Sequence, residues 1–239
     1  MEPATSVGER MRIGIFSDVH GNAAALRPVL QELRSNSDVL LFLGDLAGYY
    51  GFVNECADLW PAQVMGVRGN HDDVLLKALA EAKAPAPEYF SRYGSALWRS
   101  VQGLSSKARC LMEALPVQRS FDFDGLRVAM FHGSPWDPLN GRVYPDFADW
   151  QKFDAVNADV VLLGHTHYPM VKKHGERLIV NPGSVGQARD SGGAACFAIL
   201  DTGSRTAELK RVGFDCGEVI RDAKEHDPEL PYLWEVLTR

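Results

Sequence analysis

The chain carries seven histidines, and five of them, His20, His71, His132, His165 and His167, lie at or just past the end of an apolar run. Asp18, Asp45 and Asn70 fall at equivalent places. Imidazole nitrogen with carboxylate and amide oxygen is the donor set of borderline divalent ions such as manganese, iron, zinc, nickel or cobalt. No cysteine stands among these groups, which argues against a purely thiophilic site. Two of the groupings, Asp18-Val19-His20 and His165-Thr166-His167, place ligands two residues apart. In an extended segment such residues point the same way, so Asp18 and His20 can share one ion, and His165 and His167 can both face one site. A single pair of this kind reads equally as a turn with a helix cap at Asn22, and a lone strand-end histidine is more often an ordinary core residue. The repetition of one placement along the chain decides for metal.

Short buried strands must hold these groups. Met11–Ser17, Asp38–Leu43 and Gln63–Val67 are apolar runs bounded by polar residues, each followed by a metal-competent residue, with helices expected from Ala23 through Leu33 and from about Val53 to Trp60. That makes three βα units presenting ligands at the carboxyl edge of a sheet, where open α/β sheets place their sites. Residues 73–115 read as helical, either a small cap beside the site or plain packing on the sheet. Beyond them, Gln118–Phe123 and Leu126–Phe131 flank Asp124-Gly125, a two-residue hairpin signal. A helix to about Val156 and strands near 159–163, 169–174, 177–181, 194–200 and 206–212 follow. A βα-rich half and a β-rich half without a linker imply one domain over 11–239, with two sheets packed face to face and helices outside. Residues 1–10 are patternless and read as a disordered extension.

The ordered blocks Asp18-Val19-His20, Gly44-Asp45, Gly69-Asn70-His71-Asp72, His132-Gly133 and Gly164-His165-Thr166-His167 resemble the calcineurin-like metallophosphoesterase superfamily. Asn181-Pro182-Gly183-Ser184-Val185-Gly186 is similar to its small bacterial and archaeal phosphodiesterase branch. The resemblance implies an α/β four-layer α-β-β-α sandwich of two mixed sheets with a small helical insert. It also implies a two-metal centre, with manganese the first expectation for both ions. Asp18, His20 and His167 would hold one metal, Asn70, His132 and His165 the other, and Asp45 would bridge them. Two such ions polarise phosphoryl oxygens and acidify a bridging water for in-line attack on a phosphodiester. A phosphomonoesterase or dinucleotide polyphosphate hydrolase is the alternative, and a protein-binding scaffold on the same fold is the alternative of another kind.

His71, next to a ligand in what reads as an irregular turn, would be general acid or substrate-orienting group. Asp72 is either the partner that holds the His71 tautomer or a helix N-terminal carboxylate. Arg68, Asn22 and Ser184 are candidate phosphate contacts, against an ion pair, a helix cap and a structural loop respectively. Tyr49, Tyr50 and Phe52 could stack on a base or pack. His174 and His226 belong to no block and read as surface residues.

Composition sets the outer bounds. At 239 residues, 46% hydrophobic and 23% charged, the chain can bury a core without staples. A formal net charge of -6 gives no reason to expect nucleic acid, while leaving room for a small phosphorylated substrate beside a local cation. Cys56, Cys110, Cys196 and Cys216 lack metal-binding spacing and read as reduced thiols. No apolar run approaches a bilayer span and no signal-peptide order appears, so the cytoplasm is the expected location. The segment from Asp215 to Arg239 reads as short amphipathic helices of unassigned role.

Overall fold

The computed structural model describes residues 10–239, so the expected extension lies outside the described residues except for Arg10. Two five-stranded mixed sheets face each other. The first runs β10-β9-β1-β2-β3 and the second β4-β5-β6-β8-β7. In the first, β1 (Arg12–Phe16), β2 (Val39–Phe42) and β3 (Val64–Gly66) are parallel, and β9 (Ala194–Asp201) and β10 (Thr206–Gly213) complete it antiparallel. In the second, β5 (Leu126–Phe131), β6 (Val160–Leu162) and β8 (Arg177–Asn181) are parallel, with β4 (Gln118–Phe123) and β7 (Met170–His174) antiparallel at the edges. Each sheet thus points three parallel strand ends at one edge of the sandwich.

The expected strands form because their alternate residues fill the space between sheets. Ile13, Ile15, Leu41, Leu43 and Val67 from the first sheet meet Val128, Met130, Val160, Leu162 and Val180 from the second. The outward faces are equally apolar, as parallel strands buried on both sides require. Phe16 and Phe42 pack under α1 (Ala23–Asn36) and α2 (Val53–Leu59), where Leu26, Val29, Leu30 and Leu33 keep a helical spacing on the buried face. The outer face of the second sheet is covered by the loop residues Val143 and Phe147 and by a short 3₁₀ helix, Trp150–Ala155, with Phe153 fully buried. An α-helix was expected there, so the fourth layer is thin. At the β4–β5 hairpin, Asp124 and Gly125 take φ of 53° and 86°, the paired left-handed turn their types favour.

Residues 73–115 divide. Helix α3 starts earlier, at Asn70, and runs to Glu81. Helices α5 (Ala96–Gln102) and α6 (Ser106–Glu113) send Leu97, Ala108 and Met112 into the core beside Phe42, which is plain packing. Helix α4 (Pro87–Tyr93) buries no residue fully and extends toward the strand ends. The C-terminal helices α7 (Gly217–His226) and α8 (Tyr232–Glu235) make a small cluster of their own, in which Val219, Leu233 and Leu237 enclose Tyr49 and Tyr50. No helix among the described residues is long and apolar enough to cross a membrane.

Candidate metal centre

At the shared edge, Asp18 follows β1, Asp45 follows β2 and Asn70 follows β3, while His132 follows β5 and His165 and His167 follow β6. All seven expected ligands converge. Asp18, His20 and His167 form one compact trio, Asp45, His132 and His165 a second, and His20, Asp45 and His71 a third that links them. Asn70 joins the second through its Oδ1, 3.0 Å from His132 Nε2.

The local backbone differs from the extended one expected. Asp18, His20, Asp45, His165 and His167 take φ of 54°, 51°, 62°, 66° and 64°. So Asp18 and His20 meet in one trio on left-handed backbone, and His165 and His167, left-handed as well, divide between the two trios. This conformation costs roughly 1 to 2 kcal/mol at an ordinary residue. Strain of this kind persists where the surroundings over-determine it. Here Asp18 N–H donates to the Gly44 carbonyl and His20 N–H to the Asp45 carbonyl, both at 2.9 Å, lacing the two loops together. The glycines allow the close approach. A Cβ on Gly69 would stand 2.0 Å from Asp45 Oδ1, and one on Gly164 2.3 Å from Ser17 Oγ.

Each buried side chain spends one atom on the scaffold and turns the other inward. Asp45 Oδ1 accepts from His71 N–H at 2.8 Å, and Asp18 Oδ2 from His165 N–H at 3.1 Å. Their other oxygens, Asp45 Oδ2 and Asp18 Oδ1, are buried with no hydrogen-bond partner, as is His165 Nε2. The Nδ1 atoms of His20, His132 and His167 face the carbonyls of Ala47, Leu43 and Gln187 at 3.1, 2.7 and 2.8 Å. A carbonyl only accepts, so each Nδ1 carries a proton, and it is the Nε2 atom that is left to face the centre. Yet His20 Nε2 and His167 Nε2 lie 2.9 Å apart, with Asp18 Oδ1 3.6 and 3.3 Å from them. Acceptors facing acceptors are satisfied by a cation, and the donor set fits divalent metal.

The titration behaviour agrees. Burial disfavours charge on His167 and His165 and lowers both to about 4, leaving them in the neutral, ligating form. Burial opposes charge on His132 as well, but Asp45 beside it wins and raises it to about 9. A proton is held where an ion would otherwise put its charge.

The expectations for the groups around the ligands fare differently. His71 lies in the first turn of α3, not in an irregular turn. Its Nδ1 meets the Tyr89 hydroxyl rather than Asp72. Burial pushes Tyr89 well above its ordinary value, so Tyr89 keeps its proton and donates it, placing the His71 proton on Nε2. Burial also lowers His71 to about 3, so this ring is neutral. Asp72 is the helix N-terminal carboxylate of the two readings. It accepts from the backbone N–H of Asp45 and Gly69 through Oδ2, at 2.9 and 3.1 Å, and of Ala47 through Oδ1 at 2.9 Å. It therefore fixes the loop that carries Asp45.

The three expected phosphate contacts are each engaged with protein groups. Arg68 Nε points to Asp73 at 3.5 Å, the ion-pair alternative. Asn22 is wholly buried, capping α1 through Ala25 N–H and donating to the Gly186 carbonyl, both at 3.0 Å. Ser184 Oγ donates to the Asp18 carbonyl at 2.7 Å and accepts from Gln187 N–H at 2.8 Å. The 181–186 loop braces the floor instead: Val185 and Gly186 N–H donate to the carbonyls of Ser17 and Asp18, and Asn181 Nδ2 to that of Gly164. His226 is exposed, and His174 is half-buried against Asp154 at 2.8 Å.

Above the ligands lies a cavity of about 260 Å³ with Asp45, His71, His165 and His167 at its base. Its walls are residues the sequence reading passed over: Arg92 and Tyr93 of α4, Arg142 and Tyr144 from the loop after β5, Arg189 from the loop after β8, and Tyr232 of α8. Of the three aromatic candidates only Tyr49 reaches it, its ring 4.4 Å from that of His20. Tyr50 is buried with its hydroxyl on the Leu233 carbonyl, and Phe52 packs. The one signal available in sequence was the pairing of arginine with tyrosine at Arg92-Tyr93 and Arg142-Val143-Tyr144.

Two laced sheets carrying a histidine and aspartate centre at their common edge define a metallophosphoesterase architecture. Residues 11–205 match the model of the calcineurin-like phosphoesterase superfamily domain, and the chain belongs to that superfamily. An uncharacterised protein of Methanocaldococcus jannaschii is 29% identical over 224 residues, 85% of this chain and 88% of that protein. Phosphodiesterase YfcE of Escherichia coli is 27% identical over 208 residues, 80% of this chain and 88% of its own length. The crystal structure of a metallophosphoesterase from Sphaerobacter thermophilus superposes with a TM-score of 0.77 at 28% identity, covering 96% of this chain and 98% of that one.

Proposed function

We propose that this protein is a two-metal-dependent phosphoesterase acting on phosphodiester bonds. The observation that carries the reading is the orphaned Asp45 Oδ2, which lies 3.7 Å from His20 Nε2 and 3.3 Å from His132 Nε2, between the two trios. A carboxylate so placed bridges Asp18, His20 and His167 on one side with Asn70, His132 and His165 on the other. Two divalent ions held there, manganese the first expectation for this mixed nitrogen and oxygen set, would polarise the phosphoryl oxygens and acidify a water for in-line attack. The chain's own part is to keep His165 and His167 neutral and each ligand carboxylate half-committed to backbone. His71, its Nδ1 accepting from the Tyr89 hydroxyl, presents an Nε2–H that would hydrogen-bond and orient the leaving oxygen. The diester preference draws on the phosphodiesterase named among its relatives.

The test is hydrolysis of bis(p-nitrophenyl) phosphate against p-nitrophenyl phosphate by protein reconstituted with manganese, alongside metal analysis. Two ions per chain and a higher kcat/KM on the diester are expected. Inertness on both esters under manganese, iron, zinc, nickel and cobalt would sink the enzyme reading and leave a partner-binding scaffold.

A further inference from the structure

The cavity above the metal centre holds more positive charge than a simple diester can use. Arg92, Arg142 and Arg189 arrive from three separate segments, the end of α4 and the loops after β5 and β8, and line one space of about 260 Å³. Among the described residues, the arginines paired with carboxylates lie elsewhere: Arg10, Arg68, Arg99, Arg109, Arg127, Arg177 and Arg211. Among the described residues, none of the three cavity arginines lies in an ion pair. Arg189 Nη2 donates to the Tyr49 hydroxyl at 3.0 Å, and Arg92 stands 5.3 Å from the Tyr93 ring centre. The carboxylates nearest the cavity base, Asp18 and Asp45, are already committed to the ligand set. Three guanidinium groups lining one cavity, none of them in an ion pair, favour an anion between them.

The reacting phosphoryl of a diester carries one negative charge and would sit on the centre below. Arginine's planar fork of donors suits phosphate oxygens, and its charge is fixed at any working pH. The space is too small for a folded partner or a nucleic-acid duplex. Resting on the phosphoesterase reading, we infer that the arginine cavity is a second phosphate subsite, so that the preferred substrate is a small phosphoric ester bearing a further phosphoryl group. Tyr49, Tyr93 and Tyr232 flank the path between the two phosphoryl groups and give the organic part apolar ring surface.

Binding to manganese-loaded protein separates this from the catalytic reading. The probes are adenosine 3′,5′-bisphosphate and adenosine 5′-phosphate, each titrated by calorimetry into wild type and into Arg92→Gln/Arg142→Gln. Both substituted side chains are exposed, and circular dichroism with metal analysis checks the variant's fold and centre. Wild type is expected to bind the bisphosphate about ten-fold or more tightly than the monophosphate, a preference that shrinks to within about two-fold in the variant. Equal affinities in wild type, or an unchanged preference in the variant, would overturn the subsite. Diester hydrolysis without the preference leaves the esterase reading standing and removes the subsite. The preference without hydrolysis leaves the subsite standing and removes the esterase.

Discussion

The floor and the roof of this site are built on opposite principles. The floor is a set of strand ends: Asp18, His20, Asp45, His132 and His167 are nearly inaccessible, and each is tied to backbone from a neighbouring loop. The roof is assembled from α4, two loops and α8, with Arg92 and Arg142 exposed and Tyr93, Tyr144 and Tyr232 half-buried. Metal chemistry tolerates little displacement of its ligands, so it sits where two sheets leave no freedom. Recognition of the rest of a substrate tolerates more, and on the proposed reading it would fall to the loops and helices of the roof.

The sharpest way to break this contrast is to remove the carboxylate that joins the two trios. Asp45→Asn keeps the shape but loses the charge that Asp45 Oδ2 offers to His20 and His132. A fall of about 10⁴-fold in kcat/KM on a diester is expected, several kcal/mol of lost transition-state stabilisation, with metal content dropping from two ions toward one. Full metal content with near-normal turnover would mean that Asp45 is scaffold. Removing the ions by chelation should also lower the wild-type Tm, because the orphaned oxygens and facing nitrogens lose what satisfies them.

His71 stands where floor and roof meet, its backbone N–H on Asp45 and its ring against Tyr49, Tyr89 and Tyr93. His71→Ala should cost about 10²- to 10³-fold in kcat with both metals retained. The loss should shrink for esters with a good leaving group such as p-nitrophenol and grow for alkyl esters. Equal losses on both would mean that His71 makes no hydrogen bond to the leaving oxygen.

The same contrast governs what could be read from sequence. The floor was legible because its ligands are types with few alternatives, set at the ends of apolar runs whose buried faces dictate strands. Even so, the reason for the Asp18 and His20 pairing was misjudged: the segment is left-handed, which no hydrophobic period encodes. Asp72, Asn22 and Ser184 sit in motif positions, yet they serve the backbone, because a buried polar side chain near unpaired N–H groups is captured by them first. The roof was illegible because Arg92, Arg142 and Arg189 are far apart in the chain and individually look like solvated surface. Only the fold, which sets α4 and the loops after β5 and β8 above one sandwich edge, brings them together.

Asp72 sharpens the floor side. With three backbone N–H groups on its carboxylate, Asp72→Asn must turn one amide N–H toward a donor, loosening the loop of Asp45 without touching the centre. A loss of about 10- to 100-fold in kcat/KM, with weaker affinity for one metal, is expected from equilibrium metal titration. Unchanged affinity would show that the loop holds its shape without this carboxylate.

The smallest effect belongs to the clasp that holds the roof. Asp227, between α7 and α8, accepts from Ser95 N–H at 2.7 Å and Ser95 Oγ at 3.0 Å at the start of α5, while Arg99 forks onto Asp222 at 3.0 and 2.8 Å. These bonds couple the C-terminal helices to the helical stretch, and the Tyr232 hydroxyl continues the coupling to the Arg92 carbonyl. Asp227→Ala removes a helix-start acceptor worth about 1 kcal/mol, so calorimetry should record a Tm lower by roughly 2–4 °C. Metal content should stay at the wild-type value, because no ligand shares a bond with this residue. KM for an ester carrying a second phosphoryl group should rise by a few-fold, since Arg92 and Tyr232 lose their common anchor. If the Asp227→Ala protein instead lost metal, the roof would be part of the floor's support, and the division of labour between rigid sheet edges and adaptable cover would not hold.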